Sequence, residues 1–296
     1  MEKNKNTTQR LIGNIICSVI ISMVLFTSCK SKNYIDYYSR VNKADSILRF
    51  HRDSLQVVKN YRKIFRKFEP KNQERIQELS NYINISHRLN RNFGGKKTLK
   101  KYIFIEANRG LAYNKFSDIY KEYNLTEDEV QATLKQAKQF LNRMLVDSFS
   151  VAFLRDQEQG REVDDIMRVN DKKNADLLKW TLENHGYPSI QKIGVMGNKE
   201  VFMPMDNFLG HMIESEHYPY FEKELLKAVK NGDCPPRNYA AMVDKYNLWI
   251  VKKETIYGAY QLPEVPDTIS IDRKRREIGL PSLAHTRLIT RDFFKK

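Results

Sequence analysis

A mainly α-helical protein is the fold this sequence predicts: N-terminal helical hairpins, then a helical domain with a small β-hairpin. Three observations lead there. Apolar residues recur three and four positions apart through most of the chain, the period of helices buried on one face. Helix starts and stops stand where such helices need them, as at Thr126-x-x-Glu129 and Gly186. Only Thr255–Gln261 and Thr268–Ile271 alternate well enough for strands, which is material for one hairpin.

The 296 residues open with a basic leader in which Lys3, Lys5 and Arg10 stand against Glu2. An apolar run from Leu11 to Phe26 follows, then Thr27-Ser28-Cys29. A basic leader, an apolar stretch and small residues at a cleavage point are the parts of a secretory signal. The string Phe26-Thr27-Ser28-Cys29 resembles the lipobox of bacterial lipoproteins. That resemblance implies removal of residues 1–28, lipidation at Cys29 and anchorage in the cell envelope. Phe26 departs from the aliphatic residue of that family. Lys30 is not the aspartate of inner-membrane retention, which favours the periplasmic face of an outer membrane. The competing reading is an uncleaved anchor helix, but the run contains Asn14 and falls short of the ~20 apolar residues a span needs.

After a linker at 29–35, residues 36–147 read as helices. Tyr61, Phe65 and Phe68 recur at i, i+4 and i+7, with Arg62, Lys63, Arg66 and Lys67 on the other faces. Ile76, Leu79, Ile83 and Ile85 form a second helix, which Asn92-Phe93-Gly94-Gly95 breaks. The Thr126–Glu129 capping box opens a helix through Val130, Leu134, Ala137, Leu141 and Leu145. Paired helices of this kind, with small Ala44 beside aromatic Tyr61 and Phe65, resemble tetratricopeptide-type hairpins, without a surviving repeat period. The Gly94-Gly95-Lys96 stretch lacks the earlier glycine and the preceding strand of a phosphate loop.

Residues 148–296 form the second domain in this reading. Asn170 is placed to cap a helix through Ala175, Leu178 and Leu182 that Gly186 stops. Helices follow at Met205–Ser215, Tyr220–Lys230 and Arg237–Val251, then the strand pair, then a short helix at Arg273–Gly279.

Several polar residues occupy positions where the helical pattern calls for apolar ones. Asp156 follows Ala152 by one turn; Asp171 continues the line of Ala175, Leu178 and Leu182; Asp244 lies between Ala240 and Leu248; His211 follows Phe208. A buried carboxylate is costly unless paired, so these positions predict a shared network with Arg161 as its cation. Such a network either only ties helices together or forms a concave polar pocket.

The ordered string Asp156-Gln157-x-x-x-Arg161, Asp171-x-x-Asn174, Gly186-Tyr187-Pro188, Gly194, His211, Tyr239-Ala240-x-Met242-x-Asp244 and Tyr257-Gly258 resembles an uncharacterised bacterial family, domain of unknown function 6624. The match covers about residues 148–285 and continues through Ile271-Asp272-Arg273-x-x-Arg276-x-x-Gly279-Leu280-Pro281. Lys245 stands where the family commonly has arginine, and Ala259-Tyr260 where it favours Thr-Gln. The resemblance implies a location and no chemistry. It makes Asp156, Gln157, Arg161, Asp171, Asn174, His211, Asp244 and Tyr257 the candidate pocket.

No complete catalytic template is present. His211 and His217 are six apart, about 240° around a continuous helix, which is not the i, i+4 pair of a helical zinc site. There is no G-x-S-x-G elbow, and Cys234 sits in a Gly-Pro-rich turn without an arguable histidine partner. Neither a metal nor another cofactor is expected.

The net charge of +15 invites a nucleic-acid reading, but its distribution argues otherwise. Residues 30–150 hold 25 basic and 13 acidic residues, a net +12, whereas residues 151–296 hold 23 and 22. Beside a lipid anchor, a basic segment meets anionic headgroups or cell-wall polymer rather than nucleic acid. The expected function is therefore a lipid-anchored envelope scaffold with a polar pocket, its partners the membrane and another envelope protein or anionic polymer. An envelope hydrolase working through the His/Asp/Arg cluster is the first alternative. Binding of anionic lipid or glycan through the N-terminal helices is the second.

Overall fold

The computed structural model describes residues 33–109, 113–157, 163–261 and 267–295. The signal segment, Cys29 and Arg161 lie outside the described residues. No described helix is long and apolar enough to cross a membrane.

Among the described residues, fourteen α-helices make up almost all of the regular structure. The first four are α1 (Tyr34–Ser46), α2 (Ser54–Lys67), α3 (Glu78–Arg88) and α4 (Gly95–Ala107). Next come α5 (Ser117–Glu122), α6 (Glu127–Gln139), α7 (Arg143–Asp156), α8 (Asp164–Asn184) and α9 (Ile190–Ile193). The last five are α10 (Met205–His211), α11 (Tyr218–Asn231), α12 (Pro236–Trp249), α13 (Thr268–Glu277) and α14 (Leu283–Phe294). Neighbours in sequence pack on one another through α1–α2–α3–α4, then α4 on α6, α7 on α8, and α10 and α11 on α12. Of the residues that predict α2, Tyr61 is buried inside the helix, Phe65 is half-buried and Phe68 is buried at its C-cap, and Val57, Val58 and Ile64 complete the buried face. Tyr61 stacks on Phe65 one turn later, and both rings pack against Tyr82 of α3.

Where the structure departs from the expected elements, a polar side chain explains the change. The Thr126–Glu129 capping box forms in full, but its helix ends at Gln139 rather than running to Leu145. Asn142 intervenes, its side chain capping α7 at Leu145 N and its backbone N–H reaching Lys192 O at 2.8 Å. Asn170 is not a cap either. It lies inside α8, donating to Arg155 O at 3.2 Å. The expected β-hairpin is absent, and the described residues contain no strand, only a Met196–Phe202 bridge. Thr268–Ile271 is the first turn of α13, capped by Asp267. Backbone N–H groups of the 255–261 stretch bond to the Asp244 carboxylate in place of a partner strand.

That carboxylate is fully buried. Its Oδ1 accepts from Ile256 N and Tyr257 N, both at 2.8 Å, and its Oδ2 from Ala259 N at 2.6 Å and Tyr260 N at 3.4 Å. The carbonyl side of the same loop is held by Arg275, which donates to Tyr257 O and Pro281 O and to Thr286 Oγ1. Burial lowers the Arg275 pKa to about 10, which still leaves it charged at neutral pH.

The two ends of the described body meet. Asp45 of α1 is buried and accepts from Arg49 Nε and His285 Nε2, each at 2.7 Å, and Arg49 also reaches Asp292 of α14 at 2.7 Å. Asn42 donates to Gly279 O at 2.9 Å. Gly232, at φ +79°, ends α11 directly against the Tyr34 ring; a Cβ there would lie 2.5 Å from the ring. Cys234 is buried beside it, and burial pushes its thiol up to about 12.

Candidate functional site: an acidic cleft with an aspartate–histidine couple

The cleft is built where α7, α8 and α10 meet. On α7 the buried stripe runs Leu145, Phe149, Ala152, Phe153 and then Asp156, the last residue of the helix. Phe149 and Phe153 both pack on Phe208 of α10, with ring centroids 5.6 and 5.1 Å away. That contact brings His211, one turn beyond Phe208, over the end of α7. His211 Nδ1 lies 2.7 Å from Asp156 Oδ1, and Gln157 Nε2 donates to Asp156 Oδ2 at 2.9 Å.

Helix α8 is fastened to α7 by asparagines. Asn174, fully buried, accepts from Arg155 Nη1 at 3.0 Å and donates to Ala152 O at 3.3 Å. One turn before it, Asp171 heads the stripe of Ala175 and Leu178, both buried. Asp156, Asp171 and His211 each bring one oxygen or nitrogen within 4.8 Å of the other two. At an effective dielectric of about 20, two like charges 4.8 Å apart repel by roughly 3 kcal/mol.

Above the couple lies an open cleft of about 360 Å³. Asp171, Asp176, Glu214 and Glu216 line it against two permanent cations, Arg168 and Lys172. Lys172 is itself 3.4 Å from Glu216 and 3.9 Å from Asp176. His217, also on the wall, lies 3.2 Å from Asp176 Oδ1. A chain of net +15 thus presents an acidic cleft here.

Of the residues singled out in the sequence, Asp156, Asp171 and His211 converge. Gln157 bonds to Asp156, and Asn174 positions the helices beneath. Asp244 and Tyr257 do not join them. Asp244 is enclosed by backbone N–H groups, and Tyr257 uses its own N–H and carbonyl in that loop, with its ring 6.1 Å from Tyr239. Arg161 lies outside the described residues.

Sequence reasoning missed Asp176, Glu216 and His217 as cleft residues. The 240° separation of His211 and His217 presumes one continuous helix, yet α10 ends at His211, a 3-10 turn spans Met212–Glu214, and Ser215 is extended. Both histidines consequently reach the same cleft. The signal available was the polar density of Glu214-Ser215-Glu216-His217, which is poor material for a helix interior.

The chain matches no family model, no curated protein and no solved structure.

Proposed function

We propose that this chain is a lipid-anchored cell-envelope protein whose helical body carries an acid–base site of hydrolytic type in the α7–α8–α10 cleft. One observation carries the enzymatic part: a buried aspartate holds His211 at 2.7 Å through Nδ1 while the imidazole stands on the wall of an open cleft. With Asp156 ionised, Nδ1 keeps its proton and Nε2 is left as the general base, its orientation fixed by the carboxylate. Asp171 supplies a second carboxylate close to the ring, suited to stabilise the imidazolium that forms when His211 takes a proton from water. The carboxylate-rich wall favours a substrate bearing a cationic or amine group.

The test is a panel of chromogenic esters, phosphodiesters, glycosides and amides assayed with wild type beside His211→Ala. Turnover that the variant lacks supports the reading. A panel on which the two proteins cannot be told apart overturns it.

The N-terminal helices support a second role that is compatible with the first. The +12 of residues 30–150 includes the exposed Lys59 and Lys63 of α2 and Lys97 of α4. Such a surface holds an anchored protein against anionic headgroups. Binding to anionic vesicles should weaken steeply with salt, and a flat response across the series counts against it.

A further inference from the structure

We propose that Asp156, Asp171 and His211 form a binding site for a divalent first-row transition-metal ion, zinc being the ion they suit best. The inference rests on the cleft described above and deepens its reading by naming a cofactor. Each of the three residues brings a ligand atom within 4.8 Å of the other two, and two of those groups stand at 2.7 Å. Ligands at 2.0–2.2 Å from zinc lie roughly 3.3 Å from one another in a tetrahedron, so modest side-chain rotations place all three on one ion.

The chemistry of the donors narrows the ion. One imidazole nitrogen with two carboxylate oxygens is a borderline set that suits zinc and its neighbours, whereas magnesium and calcium prefer oxygen alone. Three ligands are also the number that leaves a tetrahedral ion one position for water, and Asp171 and His211 both face the open cleft. Among the described residues, the carboxylates of Asp171, Asp176, Glu214 and Glu216 line this cleft. Each ligand comes from a different helix, and the Asn174 bonds and the Phe208 contact hold those helices in register. Ligands on separately anchored elements are fixed before the ion arrives.

With Nδ1 on the ion, His211 would carry its proton on Nε2, so the ion in place of the imidazole would activate the water.

The experiment is calorimetric titration of ZnCl₂ into the untagged full chain in detergent, stripped beforehand with chelator. Its comparators are His211→Ala and Asp171→Asn, with His87→Ala as control. His87 pairs with Glu122 at 2.6 Å, away from the cleft helices, on α3 and α5. The expected result is one zinc per chain, at least tenfold weaker in the two cleft variants and unchanged in the control. No saturable binding, or binding that both cleft variants retain, overturns the proposal. Should either variant unfold, X-ray absorption of the zinc-loaded wild type decides: a shell of imidazole nitrogen and oxygen supports the site, and a sulfur or all-water shell overturns it. If zinc does not bind while His211→Ala still abolishes turnover, the metal fails and the acid–base reading stands.

Discussion

Replacing Asp244 with asparagine tests whether one carboxylate, rather than strand pairing, holds the loop at 255–261. The side chain is fully buried and its two oxygens accept four backbone N–H groups, three of them at 2.6–2.8 Å. Asparagine keeps the shape and one acceptor, but turns an NH₂ donor toward whichever pair of N–H groups it faces. Against the Oδ2 pair, it forfeits the 2.6 Å bond from Ala259 and sets donor against donor; the 3.4 Å contact from Tyr260 adds little. A hydrogen bond to a charged acceptor contributes about 1.5–3 kcal/mol, and an orphaned buried donor costs a further 1–3. Partial rotation of the amide recovers some of this, so we expect Asp244→Asn to lose about 2–4 kcal/mol. Urea unfolding of the full chain in detergent, followed by circular dichroism at fixed m-value, measures it. A loss below about 1 kcal/mol would refute the account.

Two further outcomes follow from local geometry. Glu129 accepts from Lys100 and Lys96 and from the Thr126 N–H, and these hold its carboxyl at about 2, below the ordinary 4.5. A folded-state pKa below the unfolded one contributes stability that is present above pH 4.5 and lost as pH falls toward 2; Glu129→Gln should flatten that part of the stability-versus-pH curve, and an unaltered slope would reject the pairing. Gly232→Ala sets a methyl 2.5 Å from the Tyr34 ring at a φ of +79°, so it should cost at least about 2 kcal/mol in the same urea assay, with Tyr34→Ala restoring part of the loss.

How much of this was legible from the chain depends on how local the cause is. The capping box at Thr126 needs only residues three apart, and it forms as read. Asp156, Asp171 and His211 were legible as polar residues on apolar stripes, because the stripe fixes which face turns inward. That they meet was not legible, since it depends on Phe208 seating between Phe149 and Phe153. Asp244 shows the opposite failure. It obeys the same stripe rule, yet its partners are backbone N–H groups 12 to 16 residues onward, which carry no side-chain signature. The His211–His217 spacing misled because a turn at Met212–Glu214 resets the angular count.

The clasp between α1 and α14 has a consequence for the order of folding. Asp45 and His285 are 240 residues apart, and Arg49 and Asp292 are 243 apart. A ribosome makes the aspartate early and its imidazole partner almost last, so during synthesis the first hairpin closes over its aromatic core with Asp45 held by Arg49 alone. Long loop closure of this kind delays commitment to the native state until the final helix arrives. The late step acts as a completeness check: a chain cut short before Leu283 leaves Asp45 with Arg49 alone and Arg49 without Asp292, and each lost hydrogen bond to a charged group costs about 1.5–3 kcal/mol. Truncated molecules would then be left open to proteases while intact ones are not.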